Sequence, residues 1–310
     1  MHLTITVIKE LEKFAPRLLG NEKKARKFLE SLLSLMGIDY QLQKFKTRIL
    51  FSKIFYLRVD GEEVECLPTA FKSGRIQEKN LISSMAVSGE YYEEENINFN
   101  PYSSQISLAT FYRAPSLAIK RKDIIKVIKA EEIDGKVRVI PKSHTSANIL
   151  VGNLKKPRNI LIAHYDSILN GAADDAAGVA LLFENIKIKS NLKKNLFVIS
   201  GCEELSYDKP IYWGKGYRIF EEEFHSVLRL AKRIIIVDMV GLDRPILLKS
   251  KKICRLAFPI KDTELWRKTL VLSSSGNKWK EVYHTRLDTI GNIKKRFLEK
   301  ALRLILRLIK

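Results

Sequence analysis

The sequence predicts an α/β protein: a three-layer sandwich with a mostly parallel central sheet flanked by helices, plus a smaller β-rich inserted subdomain. From about residue 146 onward, short apolar runs alternate with helical segments. These runs lack the polar alternation of half-exposed strands, which is typical of a parallel sheet covered on both faces. Residues 49–134 are instead rich in strand and turn signals. The length of 310 residues allows one large domain or two modest ones.

Three segments follow from these patterns. Residues 1–48 are predicted to be the helical N-terminal part of the main domain, with one helix capped by Asn21 and ended by Gly37. Residues 49–134 are predicted to form the β-rich insert, with a hairpin turn at Asp60-Gly61. A second turn at Asp134-Gly135 leads into the strand KVRVIP and the core, residues 135–310.

The core elements can be read in chain order. Strands are predicted at NILIAH, NLFVISG, RIIIVDMVG and KTLVLSS. Helices are predicted at GVALLFENI, at 220–230 and, as an amphipathic helix, at 293–309. That last helix could lie on a membrane surface. We expect it to pack on the open face of the sheet, because a three-layer fold needs a helix there.

Composition excludes several classes of protein. A 45% hydrophobic and 29% charged chain with 15 Gly and 9 Pro is neither disordered nor collagen-like. No apolar run approaches the ~18 residues of a membrane span, and the N-terminus lacks the pattern of a secretory signal. Three cysteines argue against a disulfide framework, so we expect a cytoplasmic protein.

The net charge of +20 has two interpretations. Such a surplus could attract nucleic acid or an anionic membrane. The basic residues are spread singly and in pairs, without a nucleic-acid motif. We therefore favour a solvated Lys-rich surface, as is frequent in heat-adapted proteins, and expect no nucleic-acid or membrane partner.

Residues that can bind metal occur at the carboxyl ends of the predicted strands, where open α/β sheets bind ligands. They are His164 and Asp166 after NILIA, Glu203 and Glu204 after NLFVIS, Asp238 after RIIIV, and His284 in the loop after KTLVLS. Asp174 lies in the small-residue segment Gly171–Gly178. Any one of these residues could simply cap a helix. Their recurrence on successive units favours a shared site.

The residue types indicate the metal. Imidazole with carboxylate and no fitting thiolate suits zinc, with cobalt or manganese as alternatives. Two His and three carboxylates are too many for one tetrahedral catalytic zinc. They suit two metal ions that share one bridging carboxylate.

These motifs resemble the di-zinc exopeptidases typified by bacterial leucyl aminopeptidase and aminopeptidase Y, whose relatives include glutamate carboxypeptidase, the transferrin receptors and the glutaminyl cyclases. The matching strings are AHYDS, GAADDAAG, CEE, VDMVG and YHTRLDT, in the order of the family. The resemblance covers the chain from about residue 146 onward and the first helix loosely.

The resemblance implies a role for each residue. Asp174 would bridge the metals, His164 and Asp238 would complete one metal site, and Glu204 and His284 the other. Glu203 would be the general base. Asp166 would hold the ring of His164 and fix its tautomer.

The sequence departs from the family pattern in three places. The interval from His164 to Asp174 is short, a bulky basic segment follows the Glu pair, and the segment between Asp238 and His284 is short. The β-rich stretch occupies the place of a protease-associated insertion. We leave open whether it is a lid over the site or only a stabilising module.

We therefore predict a zinc-dependent aminopeptidase that acts on short peptides. The alternatives are a carboxypeptidase, a cyclase on the same site, or a non-catalytic binding protein. A carboxypeptidase needs a cation for the substrate carboxylate, and Arg218, Arg244 and Arg286 are the candidates. Cys202 is expected to be a small buried residue, and His144 and His225 are expected on the surface.

Overall fold

The strands and helices follow the apolar runs of the sequence. The computed structural model describes residues 1–87, 89, 91–209 and 211–310. Its strands are β1 (Gln41–Val59), β2 (Glu62–Glu63), β3 (Cys66–Pro68), β4 (Gly74–Ile76), β5 (Leu81–Ser83), β6 (Asn96–Phe99), β7 (Ser116–Ile119), β8 (Ile133–Gly152), β9 (Asn159–His164), β10 (Asn195–Ser200), β11 (Arg233–Val237), β12 (Pro245–Leu248) and β13 (Thr269–Ser274). Its α-helices are α1 (His2–Glu12), α2 (Gly20–Leu35), α3 (Ile124–Lys129), α4 (Ala177–Ile186), α5 (Lys189–Lys194), α6 (Lys215–Leu230), α7 (Lys251–Ala257), α8 (Lys278–Val282) and α9 (Lys295–Ile309).

The main sheet has the strand order β12-β13-β11-β9-β10-β8-β1-β2, with β4 paired to β8. Its centre, β13-β11-β9-β10, is parallel, and the strands on either side are antiparallel. Successive residues of β9 point to opposite faces: Leu161 packs with α1, α2, α4 and α9, whereas Ile160 packs with α6 and α7. Helices thus cover both faces of the central strands, which confirms the predicted α/β sandwich.

Helix α9 belongs to this sandwich. Its buried residues include Leu298 and Ile305, which pack in the same core cluster as α4. The predicted packing on the sheet is therefore confirmed. Among the described residues, none of the helices combines the length and the apolar character that a bilayer span requires.

The β-rich region enters and leaves the main sheet through one long ribbon. Strands β1 and β8 are paired from Gln41↔Leu150 to Val59↔Ile133. The part of the chain that connects β1 to β8 contains a second sheet, with the strand order β3-β7-β6-β5. The predicted boundaries after residues 48 and 134 fall inside these two strands. The division of the chain into three segments therefore stays a prediction.

Three local predictions were wrong. Asp134-Gly135 is not a turn, because it lies in β8 opposite β1, and Gly135 leaves room for Ile76 of β4. Asn21 is not the cap of α2, which begins one residue earlier. His144 is not a surface side chain: it is 8% exposed, and its Nε2 lies 2.6 Å from the buried carboxylate of Glu22.

The Asp60-Gly61 turn is confirmed. Both residues have positive φ, and the pair Val59↔Glu62 closes the hairpin around them. This is the backbone that a two-residue type I′ turn requires, and Asp-Gly adopts it readily.

Candidate metal centre

Parallel pairing brings the predicted ligands to one edge of the sheet. Ser200 at the end of β10 pairs with His164 at the end of β9, and β11 runs beside β9 on its other side. The chain segments that follow these strands therefore meet, and they carry Glu203, Glu204 and Asp238. Strand order accounts for the convergence of residues that are far apart in sequence.

Asp174 lies at the centre of this group. Its Oδ1 is 3.1 Å from Nε2 of His164, and its Oδ2 is 3.4 Å from Nε2 of His284. Nε2 of His284 is 2.7 Å from Oε2 of Glu204, and Nε2 of His164 is 3.9 Å from Oδ1 of Asp238. The two oxygens of one carboxylate thus face two different imidazoles.

These distances suit metal ligands. Two atoms bound to one tetrahedral zinc at ~2.0–2.1 Å are about 3.3 Å apart, and the nitrogen–oxygen distances around Asp174 are close to that value. Ligand atoms of His164, Asp174 and Glu204 lie within 4.8 Å of one another. The donor set therefore fits a divalent ion.

Unpaired polar atoms support the same conclusion. Within the described residues, Oε1 of Glu204, Oδ1 of Asp238 and Nε2 of His284 are buried without a hydrogen-bond partner. Nε2 of His284 is close to Glu204, but the pair does not have the geometry of a hydrogen bond. Buried polar atoms are normally paired, so a converging set without partners indicates a ligand site.

The carboxylates shift each other's ionisation. Burial opposes the charge of Asp174, but the imidazoles of His164 and His284 outweigh it and hold the pKa of Asp174 below its usual range. Burial, with the nearby charge of Asp174, raises the pKa of Glu204 to about 7. Burial likewise raises the pKa of Asp238, again with Asp174 as the next cause. So many acidic groups in a small buried volume need cations beside them.

The imidazoles are shifted in the opposite sense. Burial alone would lower the pKa of His164, but Asp166, Asp174 and Asp238 raise it well above its ordinary value. The pKa of His284 is raised in the same way by Glu204 and Asp174. The carboxylates thus favour a protonated, positively charged ring at both histidines. A bound metal ion would supply the positive charge in place of that proton.

Glu203 faces the same cavity as the ligand group. Burial raises the pKa of its carboxyl well above the usual range, although His164 lowers it in part. The preceding residue, Cys202, has a positive φ and is 1% exposed, so its predicted burial is confirmed. The positive φ turns the chain between the strand and the Glu pair.

Asp166 lies beside the ring of His164, as expected, and also contacts the Glu pair. Its Oδ1 lies 3.6 Å from Nδ1 of His164, too far for a hydrogen bond, and both atoms are without a partner among the described residues. Its Oδ2 accepts a 2.9 Å hydrogen bond from the backbone N–H of Glu204. Asp166 therefore holds the backbone of the Glu pair.

Two carboxylates in the quoted motifs have structural roles that the sequence did not predict. Asp175 accepts backbone N–H bonds from His164 and Gly178, so both of its oxygens are engaged although it lies beside Asp238. Asp288 accepts backbone bonds from Ala173 and Asp174. Both residues stand inside the strings GAADDAAG and YHTRLDT, which were the signal available for them.

Arg17 holds the short loop that leads to Asp174. It is fully buried and donates to the backbone carbonyls of Tyr165, Asp166, Asn170 and Gly171. Four carbonyls bound by one guanidinium fix the path of the loop. The local sequence around Arg17 carries no motif that predicts this contact.

A cavity of about 350 Å³ opens over the ligand group. Its walls are mostly aromatic and apolar: Tyr212, Trp213, Leu256, Trp279 and Tyr283. The segment 84–87, with Gly89, Ala109 and Thr110, comes from the β-rich region between β1 and β8 and lines the same cavity. This region is thus part of the wall.

The three candidate arginines lie elsewhere. No Lys or Arg is found among the described residues that line the cavity. Arg244 and Arg286 are exposed. Arg218 donates hydrogen bonds to the carbonyls of Trp213 and Ile211.

Comparisons with known proteins find one matching family and several similar structures. Residues 148–248 match the model of peptidase family M28. A zinc aminopeptidase from Bacillus subtilis has a similar structure: 17% identity, a TM-score of 0.68, and coverage of 97% of this chain and 92% of that one. An aminopeptidase from Aneurinibacillus sp. strain AM-1 gives 17% identity, a TM-score of 0.64, and coverage of 98% and 92%.

A glutaminyl cyclase from Porphyromonas gingivalis also matches, at 14% identity and a TM-score of 0.55, over 99% of this chain and 96% of that one. A search of the curated proteins gives no match. At these identities the solved structures show the shared fold, and the family match covers the strands that carry His164, Glu204 and Asp238. The predicted resemblance to the di-zinc exopeptidases is therefore confirmed, with residues 148–248 matching peptidase family M28.

Proposed function

We propose that this chain is a dinuclear-metal exopeptidase, and specifically an aminopeptidase that removes N-terminal residues from short peptides. The observation that carries the proposal is the position of Asp174. Its two oxygens face the imidazoles of His164 and His284 at 3.1 and 3.4 Å, as expected of a carboxylate shared by two ions. A helix cap or an isolated ion pair does not require two histidines on opposite oxygens.

The proposed ligand sets follow from the same distances. His164 and Asp238 would hold one ion, Glu204 and His284 the other, and Asp174 both. Zinc is the proposed metal, with cobalt or manganese as alternatives. When bound, two such ions would polarise a scissile carbonyl and lower the pKa of a water molecule.

Glu203 is the proposed general base. It lines the cavity beside Asp174 and Glu204, and burial raises the pKa of its carboxyl, which makes the carboxylate a stronger proton acceptor. It would take a proton from the attacking water and deliver it to the leaving amine. Asp166 supports this step indirectly, because it holds the backbone next to Glu203 through the Glu204 N–H.

The cavity favours an amino terminus over a carboxyl terminus. Its lining includes the carboxylates of Asp174, Glu203, Glu204 and Asp238, and no Lys or Arg among the described residues. A carboxypeptidase needs a fixed cation for the substrate carboxylate. The lack of such a cation among the described lining residues is what supports the aminopeptidase over the carboxypeptidase.

Metal analysis and peptide hydrolysis test the proposal together. We expect two equivalents of divalent metal by mass spectrometry and hydrolysis of aminoacyl-arylamides. Profiling a peptide library by mass spectrometry would separate amino-terminal trimming from carboxy-terminal trimming. A protein that binds no zinc, cobalt or manganese and stays inert would refute the proposal.

A base variant tests the role of Glu203. We expect Glu203→Gln to keep both metals and to lose about 10²–10⁴-fold in kcat, because it cannot accept a proton. Glu222→Gln is a matched control, since Glu222 is exposed on α6. Wild-type kcat in Glu203→Gln would remove this residue as the base.

A cyclase-type reaction is the second candidate. It is supported by the structural likeness to glutaminyl cyclases, and it would convert peptides that begin with glutamine without releasing an amino acid. The same peptide library distinguishes it, because the product is 17 Da lighter than the substrate, about the mass of ammonia. The cytoplasmic location, short peptides as substrates and the absence of nucleic-acid and membrane partners remain predictions.

A further inference from the structure

The inserted region reaches back to one of the predicted metal ligands. Leu108 forms two hydrogen bonds with His284: its N–H donates to the His284 carbonyl at 2.9 Å, and its carbonyl is 3.0 Å from Nδ1 of the ring. The hydroxyl of Ser107 donates to the carbonyl of Tyr283 at 2.8 Å. Asn100, earlier in the same segment, donates to the carbonyl of Lys280 at 2.9 Å.

These contacts determine the tautomer of His284. A backbone carbonyl can only accept a hydrogen bond, so Nδ1 must carry the proton in the contact with Leu108. The lone pair of the neutral ring then lies on Nε2, which faces Asp174 and Glu204. This is the state in which an imidazole binds a metal.

The backbone at His284 also needs support. Its φ of 49° is in the left-handed region, which residues other than glycine seldom adopt. The carbonyls of Tyr283 and His284, on either side of this conformation, are both bound by the insertion. The neighbouring side chains Ile106 and Phe111 are buried in one cluster with Cys202, next to the Glu pair.

We propose that the segment 100–111 of the insertion is a structural part of the metal centre, and that Ser107 is a positioning residue for His284. The inference rests on the proposed metal site and goes beyond it. It assigns to the β-rich region a function other than covering the cavity or stabilising the fold. The insertion would set the geometry at the ion held by Glu204 and His284, and leave the other ion largely unaffected.

Metal binding without substrate tests this proposal. Cobalt and zinc titrations by calorimetry give the affinity of each site, and the visible spectrum of bound cobalt reports the coordination geometry. We expect Ser107→Ala and Asn100→Ala each to weaken one of the two sites by about 10- to 100-fold and to change the cobalt spectrum. Ser73→Ala is the matched control, because Ser73 also bonds backbone groups of the main sheet but at Val139, outside the residues that line the cavity.

The outcomes separate the two proposals. If the wild-type protein binds two ions and both variants keep wild-type affinities and spectra, the positioning role is wrong and the proposed function stands. If Ser73→Ala weakens metal binding as much as Ser107→Ala, the effect is general destabilisation, which also overturns the positioning role. If the wild-type protein binds no metal, the proposed function fails and this inference fails with it.

Discussion

The substitution Gly216→Ala tests how tightly helix α6 packs against the strand end that leads to Glu203. A Cβ at Gly216 would lie 2.2 Å from the carbonyl oxygen of Gly201, 2.3 Å from Oγ of Ser200 and 2.8 Å from Oδ1 of Asn148. Non-bonded heavy atoms normally stay about 3.5 Å apart. The start of α6 or the end of β10 must therefore move by more than about 1 Å.

Two effects follow from such a displacement. Overpacking of a buried contact costs about 1–3 kcal/mol of unfolding free energy. A shift of about 1 Å in a catalytic group can lower kcat by about 10²-fold, and Glu203 is two residues beyond Gly201. We expect Gly216→Ala to show both losses, with kcat falling more than the modest loss of stability alone would explain.

The assay is kcat for an aminoacyl-arylamide, measured with urea unfolding of the same preparations. Gly20→Ala is the control, since a Cβ there meets nothing within 4 Å at the first residue of α2. Wild-type kcat and unchanged unfolding free energy in Gly216→Ala would refute the packing argument.

The remaining predictions concern stability. Phe183→Ala, at a fully buried position on α4, should lower the unfolding free energy by about 3–5 kcal/mol in urea, whereas Phe51→Ala, at 37% exposure, should cost less than about 1 kcal/mol; equal losses would contradict the assigned core. Although burial opposes ionisation of Glu184, Lys187, the N-terminal ammonium group and Thr4 lower its pKa to about 2. The ionised group therefore stabilises the fold above pH 4.5, and this contribution is lost as the pH falls from 4.5 towards 2. Glu184→Gln should lose about 1–3 kcal/mol at pH 7 and converge with the wild type near pH 2, and a constant difference over that range would exclude the shift. Chelation should lower the melting temperature and added zinc should restore it, because an ion bound only to the folded state stabilises that state; a melting temperature that ignores both would argue against a structural contribution from metal.

The sequence was sufficient to predict the sandwich and the convergence of the site residues. The runs ILIA, LFVI and IIIV at the centres of β9, β10 and β11 are wholly apolar because both faces of these strands are covered. Once such strands are assigned to one parallel sheet, the residues after them must meet at one edge. That reasoning required only local patterns and one topological rule.

The failures have a common physical cause, which is dependence on partners distant in the chain. Asp134-Gly135 resembles a turn, but pairing with β1 draws it into a strand. His144 was expected on the surface because it lies outside the motifs, but it pairs with Glu22 on α2. Arg17 serves a loop about 150 residues away. Local composition does not encode these contacts.

The pairing of Val59 with Ile133 has a consequence for how this chain tolerates changes of length. The two residues are directly opposite each other, so the segment 60–132 leaves and rejoins the long ribbon at one point, as the loop of an ordinary hairpin does. Shortening or lengthening that segment therefore need not alter the register of β1 and β8. Removing it altogether would be different, because Leu108, the hydrogen-bond partner of the His284 ring, would be lost with it.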